Sequence, residues 1–482
     1  MNERIVSMNK TRIKKIRETL LKKQPLVFDA LNKNDQDQVF PFCEKYKAFL
    51  DQSKTEREAA RQIIDAAKQK RFVDIDAVLE KKHKNIKKVY KVFQGRCVAL
   101  AILGKKLSER GANIIASHID SPRLDLKQNP IYEDLSMGLM KTHYYGGIRK
   151  YHWLALPLAL HGTIIKSNNE RVDITIGEHP NDPVFTITDL LPHLAGKTQA
   201  NKNISEVFEG EKLNLVAGSL PLGGKDEKDR FKLGVLNCLF DQYGITEEDF
   251  VSAEIEAVPS EKARDIGFDR SMIGAYGQDD RVCAFTSLEA FLDSEPSEKT
   301  IMALFFDKEE IGSEGSSGAK SNFLEDFMSD LLLISGENTD NRSLRKALIH
   351  SSCLSADVNA AMDPDFKDVH EAMNAAKLGF GICMTKFTGV GGKSGASDAG
   401  SEFVGKIRQI FNHNHIVWQT GELGKIDQGG GGTVAKFLAK FGMNVLDCGP
   451  ALLSMHSPFE IAGKADVYMT YLGYKAFYKD ND

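Results

Sequence analysis

The chain has 482 residues, of which 42% are hydrophobic and 27% are charged, and its formal net charge is −4. This length and balance predict a globular protein of two or three domains with a large core. The small negative charge argues against a nucleic-acid-binding protein. No uninterrupted apolar stretch approaches the ~18 residues of a membrane span, so we expect no membrane partner.

The cysteines and the N-terminal sequence both indicate a cytoplasmic protein. The seven cysteines are an odd number, and no two of them have the C-x-x-C spacing. Such scattered cysteines are typical of reduced thiols rather than of a disulfide framework. The opening sequence MNERIVS continues into a lysine-rich stretch without an apolar core. We therefore expect no signal peptide.

The first part of the chain, residues 1–92, has the pattern of helices. Its lysine-, glutamate- and alanine-rich stretches carry apolar residues at three-to-four spacing, such as Ala59 and Ile63. Residues 114–117 then predict a strand that runs into His118.

The sequence pattern changes between about residues 126 and 260. Short stretches there, such as Arg171–Ile176, alternate apolar and polar residues and predict half-buried strands. From residue 262 onward the pattern is again α/β. The strands expected there lie at 301–306, 379–385, 415–419 and 443–447. The simplest account is an α/β catalytic domain made of residues 1–127 and 263–482, split by an inserted β-rich domain at 128–262.

Two adjacent acids, Glu309 and Glu310, follow the apolar run 301–306. Neighbouring carboxylates at the end of a buried strand repel each other, and burial raises the cost. A nearby cation removes that cost, and metal ions are the obvious candidates, with one acid as ligand and the other moving protons. A solvated acidic turn is the alternative that this segment alone leaves open.

Four further segments place ligand-type side chains after a predicted strand. In chain order these are His118 with Asp120, Asp279 with Asp280, Asp357 after a β-type stretch at 347–354, and His456. Taken singly, they have ordinary structural readings: a surface pair, a helix N-cap, an uninformative aspartate and a structural histidine. Ligands of open α/β sheets collect at the carboxyl ends of strands, so these segments can converge.

Together the segments supply histidines, aspartates and glutamates in the order His, Asp, Glu-Glu, Asp, His. This is the inventory of a two-zinc hydrolytic site: a shared carboxylate, one histidine and one further carboxylate per metal, and a free glutamate as base. Asp120 could accept the second ring N–H of a metal-bound His118. Two Zn²⁺ ions per subunit are expected, with Co²⁺ or Mn²⁺ as alternatives.

Several segments carry a family resemblance. They are SHIDSPRLDLK (117–127), YYGG (144–147), PHLA (192–195) with Gln199 and Asn201, DKEEIGSEGSSGA (307–319), SADV (355–358) and DCGPALLSMHSPFE (447–460). In these the chain resembles the aspartyl aminopeptidase and vacuolar aminopeptidase I family of zinc metallopeptidases. The resemblance runs from about residue 90 to the end, and the independent matches in one order make it specific.

The resemblance implies a role for each residue of the inventory. His118 and Asp357 would hold one metal, Glu310 and His456 would hold the other, and Asp279 would bridge them; Glu309 would be the general base, and Asp120 would orient His118. The implied fold is a mixed-sheet zinc-aminopeptidase catalytic domain (phosphorylase/hydrolase-like) with an inserted β-rich dimerisation domain. Family members build tetrahedral dodecamers from dimers, so a homo-oligomer is expected.

Two further positions are expected to contact the substrate. Lys386 resembles a lysine that helps eukaryotic members bind an acidic substrate side chain, but the Arg-Tyr part of that segment is replaced here by glycine and serine. His143 precedes the Tyr-Gly-Gly segment and would line a neighbouring subunit's active site, with an ordinary surface histidine as the alternative. Trp153 is kept, whereas the Asp-Arg pair that usually accompanies it is lost. The preferred first residue of the substrate therefore stays open.

The expected activity is removal of the first residue from peptides with a free amino terminus, by water that Glu309 deprotonates. Two other functions remain as alternatives. One is a co-catalytic zinc deacylase or carboxypeptidase that acts on small N-acyl substrates. The other is a non-catalytic, shell-like assembly protein, against which the retention of the whole inventory argues.

Overall fold

A computed structural model of the chain describes residues 10–81 and 86–481. The expectation about a signal peptide falls on residues that lie outside this description. None of the helices in the described parts of the chain has both the length and the apolar character needed to cross a bilayer. All seven cysteines are free, and all except Cys238 are buried.

Helices and strands alternate over most of the chain. Within the described residues the α-helices are α1 (Lys10–Leu20), α2 (Val27–Ala30), α3 (Lys33–Asp51), α4 (Glu56–Gln69), α5 (Ile75–Glu80), α6 (Leu107–Arg110), α7 (Pro192–Gln199), α8 (Ile204–Val207), α9 (Arg230–Tyr243), α10 (Gln278–Leu292), α11 (Phe323–Ser335), α12 (Asn341–Ile349), α13 (Ser401–His413), α14 (Ala435–Ala439) and α15 (Lys464–Tyr478). The strands are β1 (Val73–Asp74), β2 (Lys88–Phe93), β3 (Cys97–Ile102), β4 (Ala112–His118), β5 (Arg123–Asp134), β6 (Met137–Tyr145), β7 (Leu158–Ile165), β8 (Arg171–Ile176), β9 (Leu215–Gly218), β10 (Glu254–Pro259), β11 (Arg264–Ile266), β12 (Met272–Ala275), β13 (Thr300–Phe306), β14 (Ser352–Ser355), β15 (Asn359–Ala360), β16 (Ile382–Thr385), β17 (Trp418–Thr420), β18 (Asn444–Gly449), β19 (Ala451–Leu453) and β20 (Glu460–Gly463).

The largest sheet is mixed, with the strand order β1-β2-β3-β13-β4-β14-β18-β16-β17. Its central strands β13, β4, β14 and β18 run parallel. Strands buried on both faces are apolar at every position rather than at alternate ones. In β13, Phe305 packs into the core beneath α3, α4, α10, α13 and α15, and Phe306 packs into the core beneath α5, α11, α12 and α14. The predicted α/β fold with a mixed sheet is thereby confirmed.

A second, antiparallel sheet has the strand order β8-β7-β10-β5-β6-β9 and a core of its own. It draws on the chain between Arg123 and Pro259, and the helix α9 packs against its strands. β5 pairs with β10 already at Leu124, upstream of the expected boundary at residue 128. The division into a split catalytic domain and an insert stays a prediction.

A third sheet, with the order β11-β12-β20-β19-β15, carries the segments around Asp279 and His456. β12 leads into α10, and the turn that contains His456 connects β19 with β20. β12 and β20 pair antiparallel, with Ala275 opposite Glu460. This pairing brings the start of α10 next to the His456 turn.

Most sequence-based expectations for individual elements agree with the structure, including the helical first part and the strands near 301–306, 379–385, 415–419 and 443–447. The expected β-type stretch at 347–354 was wrong in its first half. α12 continues to Ile349, and only Ser352–Ser355 form a strand. The side chain of Asp340 accepts the backbone N–H of Ser343 at 2.7 Å and caps α12, which favours helix over strand in the residues that follow.

Candidate metal centre

The ligand-type residues expected from the sequence lie together at one edge of the large sheet. His118 is the last residue of β4, and Asp357 follows β14, the parallel neighbour of β4. Glu309 and Glu310 form a 3₁₀ turn just after β13, on the other side of β4. The carboxyl ends of these parallel strands meet at one edge of the sheet, which explains why residues so far apart in sequence converge.

Asp279 stands between the two histidines. Its Oδ1 lies 3.3 Å from Nε2 of His118, and its Oδ2 lies 3.3 Å from Nε2 of His456. The same Nε2 of His456 is 3.6 Å from Oε2 of Glu310. The ligand atoms of His118, Asp279 and Asp357 lie within 4.8 Å of one another, as do those of Asp279, Glu310 and His456. One carboxylate thus belongs to two possible ion sites.

Both histidines are oriented through their second ring nitrogen. Nδ1 of His118 lies 3.1 Å from the backbone oxygen and 3.3 Å from Oδ1 of Asp120. Nδ1 of His456 lies 2.8 Å from the backbone oxygen of Gly147. A ring N–H donated at Nδ1 leaves the lone pair of Nε2 free to bind a metal. In each ring, it is this Nε2 that faces Asp279.

The donor set fits zinc. Two ligand atoms about 2.0–2.1 Å from a tetrahedral zinc ion are roughly 3.3 Å apart, which matches the two distances between the histidines and Asp279. Among the described residues, no hydrogen-bond donor satisfies the buried Oδ1 of Asp279 or Oε1 of Glu310. Buried carboxylate oxygens left without partners are costly unless a cation binds them.

The electrostatics of the site point the same way. Burial raises the pKa of Glu310 and of Asp357 well above the usual range, and Asp279 adds to both increases. Although burial alone lowers the pKa of His456, Asp279 and Glu310 raise it to about 11. Burial opposes ionisation of Asp279, but the two histidines outweigh it and lower its pKa. The centre therefore concentrates more carboxylates than positive charges, and divalent cations would balance them.

Glu309 and Asp120 are linked through the backbone. Asp120 accepts the N–H of Glu309 at Oδ1 (3.1 Å) and the N–H of Glu310 at Oδ2 (3.2 Å). The hydroxyl of Tyr145 donates to Oδ2 of Asp120 at 2.8 Å. Burial raises the pKa of Glu309 to about 7; His118 opposes the rise, and Asp120 and Asp279 support it. A glutamate with a pKa near neutrality can both accept and return a proton.

The centre opens into a cavity of about 550 Å³ lined by Glu309 and the ligand-type residues. Lys386 and His143, the two residues expected to contact the substrate, are not among the described residues that line this cavity. Lys386 is exposed and pairs with Asp398 at 3.0 Å. His143 is exposed on β6, with Nδ1 2.7 Å from the backbone oxygen of Tyr144. Both roles stay predictions.

Comparison with known proteins gives a consistent result. The family model "Aminopeptidase I zinc metalloprotease (M18)" matches residues 49–478. The chain belongs to the M18 aminopeptidase family. It is accordingly a metallo-aminopeptidase, as expected from the sequence.

Individual M18 relatives are similar over nearly their whole length. The "Probable M18 family aminopeptidase 1" of Borrelia garinii subsp. bavariensis is 50% identical over 457 residues, which cover 94% of this chain and 98% of the relative. The crystal structure of an M18 aminopeptidase from Thermotoga maritima is 46% identical, with a TM-score of 0.90 and coverage of 95% and 99%. The S. cerevisiae mApe1 dodecamer shares the fold at 21% identity, with a TM-score of 0.73 and coverage of 91% and 96%.

The structure of this M18 chain also reveals a residue that the sequence analysis missed. Glu460 is buried, and it accepts the backbone N–H of Asp279 at 3.0 Å and that of His456 at 2.7 Å. His456 has a positive φ of 62°, which is uncommon outside glycine. Glu460 thus holds the His456 turn against the start of α10. In the sequence, Glu460 could be noticed only as the last residue of the segment 447–460. Its hydrogen bonds to the backbone of Asp279 and His456 depend on the folded structure.

Tyr145 was missed for a similar reason. It lies in the YYGG segment, where nothing local indicates that its hydroxyl binds Asp120. Its ring is stacked under the guanidinium group of Arg123, at 3.9 Å. The second sheet therefore contributes a hydrogen bond to the carboxylate of Asp120, which lies 3.3 Å from Nδ1 of His118.

Proposed function

We propose that the protein is a di-zinc aminopeptidase in which Glu309 moves the proton. The observation that carries the proposal is the position of Asp279, with one carboxylate oxygen facing each histidine at 3.3 Å. His118, Asp357 and Asp279 would hold one ion, and Asp279, Glu310 and His456 would hold the second. When bound, zinc supplies a Lewis acid that polarises a carbonyl and lowers the pKa of water.

The chain's own residues supply the remaining steps. Glu309 lines the cavity beside both ion sites, where it can take a proton from the attacking water and return it to the leaving amine. Asp120 fixes Glu309 through the backbone N–H. The acidic surroundings favour a cationic amino terminus in the cavity, which accounts for action on the first residue of a peptide.

A matched pair of substrates tests this function. We expect zinc-loaded enzyme to hydrolyse leucyl-p-nitroanilide and to leave N-acetyl-leucyl-p-nitroanilide intact, since acetylation removes the positive charge. Release of acetate from the acetylated substrate would favour the deacylase alternative, because a deacylase breaks the N-acetyl bond rather than the anilide bond. No hydrolysis of any free-amine substrate with Zn²⁺, Co²⁺ or Mn²⁺ would favour the non-catalytic alternative.

We also propose that the protein is a cytoplasmic homo-oligomer that assembles through the second sheet and its helices. Free cysteines support the compartment. Exposed apolar side chains, which are common at interfaces, support self-association. In this part of the chain they include Leu190, Leu191, Leu194, Ile204 and Leu220. The relative of similar fold described as a dodecamer supports it as well. Light scattering of the purified protein tests the assembly, and a monomer would contradict it.

A further inference from the structure

A glycine-rich loop forms one wall of the cavity. Gly430 and Gly431 are half-buried, Gly432 is exposed, and all three line the cavity. The backbone N–H of Gly389, in a second loop, donates to the oxygen of Gly431 at 2.6 Å. Gly430 has a φ of 131°, and a Cβ added there would lie 2.1 Å from the backbone oxygen of Gly389. Only glycine allows this close approach, so the second loop holds the wall in place.

The wall presents hydrogen-bond donors that the protein does not use. Over residues 10–81 and 86–481, no oxygen of the protein accepts the backbone N–H of Gly430, Gly431 or Gly432. Because these glycines keep surface in the cavity, a ligand there can reach them. Successive backbone N–H groups in turns form concave sites for anions.

A lysine lies beside the same glycines. A Cβ added to Gly432 would lie 3.4 Å from Nζ of Lys436, so the ammonium group is next to the loop. Lys436 is exposed and lines the cavity, and none of the described carboxylates forms an ion pair with it. Its Nζ lies 4.8 Å from the ring centre of Phe437. We call Gly430, Gly431, Gly432 and Lys436 the anion cradle.

Two other charged groups outside the ion sites line the cavity. Asp447 is only 3% exposed, and the side chains of Ser355 and Thr433 hydrogen-bond to its carboxylate. Arg149 is exposed and lies two residues after Gly147, whose backbone oxygen contacts His456, so it belongs to the wall that supports the metal centre. The cradle therefore offers an exposed cation on a wall that carries no metal-ligand residue.

The two kinds of charge in the cavity match the two ends of a short peptide. In the proposed function, the amino terminus lies among the carboxylates of the metal centre. A carboxylate on the same molecule binds best to N–H donors and a cation, and the cradle supplies both. The cavity volume of about 550 Å³ is within the range of sites that enclose a small ligand, roughly 300–1,000 Å³.

We propose that the anion cradle binds the C-terminal carboxylate of the substrate and that the protein selects dipeptides and tripeptides. This inference rests on the proposed aminopeptidase function and names its substrate class. An acidic first side chain has the same chemistry, but it stays close to the carboxylates around the metal centre, which repel it. A C-terminal carboxylate lies one or two residues further along the peptide and reaches the wall without ligand residues.

The test compares kcat/KM for Leu-Gly and Leu-Gly-Gly with kcat/KM for their C-terminal amides on zinc-loaded enzyme, followed by chromatography of released leucine. We expect wild type to prefer the free acid over the amide by about tenfold or more at one of the two lengths. In Lys436→Gln, the acid-to-amide ratio should fall by at least about threefold, the size of one solvent-exposed ion pair.

Lys440→Gln is the matched control, because this exposed lysine just after α14 also lies over an aromatic ring, that of Phe441 at 4.7 Å, and does not line the cavity. The acid-to-amide ratio should be unchanged in this variant. Zinc content and melting temperature of Lys436→Gln show whether it is folded and loaded. The comparison of acid with amide on wild type needs no variant.

Three results would overturn the proposal. The first is an equal kcat/KM for acid and amide at both lengths; hydrolysis of leucyl-p-nitroanilide would then leave the aminopeptidase function intact. The second is a preference for the acid that Arg149→Gln removes and Lys436→Gln does not. The third is a preference of wild type for aspartyl- over leucyl-p-nitroanilide that Lys436→Gln removes, since the carboxylate would then come from the first side chain.

Discussion

Nε2 of His456 lies 3.3 Å from Oδ2 of Asp279, although the two residues are far apart in sequence; the pairing of β12 with β20 brings them together. The other oxygen of Asp279 stands at the same distance from His118. A carboxylate shared in this way can bind two cations at once. Asp279 thereby links His118, at the end of β4 in the large sheet, with His456, in a turn of the third sheet.

Replacing Glu309 by glutamine should remove turnover but keep the metal. Glutamine has the same size and cannot accept the proton, so kcat should fall by about 10²–10⁴-fold. Zinc content should stay at the wild-type value, because Glu309 is outside both ligand groups. Steady-state kinetics with elemental analysis on the same sample measure both quantities. A variant with near wild-type kcat would refute the role of Glu309 as base.

Asp279→Asn should instead lose metal. The amide has only one oxygen and no charge, so it cannot bind two ions as the carboxylate does. We expect elemental analysis after gel filtration to show clearly less zinc per subunit than in wild type, with activity lost in parallel. Glu261→Gln, at an exposed acid, is the control. Unchanged zinc stoichiometry in Asp279→Asn would contradict the bridging role.

Glu460→Gln should weaken metal binding, although Glu460 is not itself one of the proposed metal ligands. The amide N–H₂ would face a backbone N–H of Asp279 or His456, so one buried donor would lose its acceptor. Such a loss costs about 1–3 kcal/mol, which corresponds to roughly 5- to 150-fold in affinity if it falls on the bound state. Competition with a zinc chelator measures the change. Wild-type affinity in a folded Glu460→Gln protein would show that Glu460 does not position the centre.

The sequence predicted which ligand-type residues converge and that Asp120 lies beside His118, but not the contacts of Glu460 and Tyr145. His118, Asp279, Glu310, Asp357 and His456 could be found because each follows a predicted strand or opens a helix, and such ends converge. The contacts of Glu460 and Tyr145 depend on the pairing of β12 with β20 and on the second sheet. Local pattern carries no information about these tertiary contacts.

The strand expected at 347–354 was wrong in its first half because an apolar run alone does not separate a strand from a buried helix segment. Asp340 caps the start of α12, and Ala347 and Leu348 are good helix formers, so the helix continues to Ile349 before the strand begins. Lys386 pairs with Asp398 outside the cavity lining, and its expected role in substrate binding stays a prediction. A motif gives residue types, and the backbone decides where they point.

Stability should depend on pH through His161, which is buried between two acids and belongs to neither ligand group of the metal centre. Its Nδ1 lies 2.8 Å from Glu58 and its Nε2 lies 3.0 Å from Glu178. Burial alone lowers the pKa of His161, but the hydrogen bonds to Glu178 and Glu58 outweigh it and raise the pKa. A raised pKa means that folding favours the protonated ring.

This contribution is fully present below the unfolded pKa of about 6.5 and is lost as pH rises through the higher folded value. The melting temperature of His161→Gln should therefore lie well below that of wild type at pH 6, and the difference should shrink at pH 9. His179→Gln, at an exposed histidine nearby, serves as control. A difference that is constant or grows with pH would contradict the assignment.

The most direct test of the two-ion centre is anomalous X-ray diffraction at the zinc edge on crystals of the zinc-loaded protein. We predict two peaks about 3.5–4 Å apart, one beside His118 and Asp357 and one beside Glu310 and His456, with the carboxylate of Asp279 contacting both. A single peak, or two peaks of which only one contacts Asp279, would contradict the account.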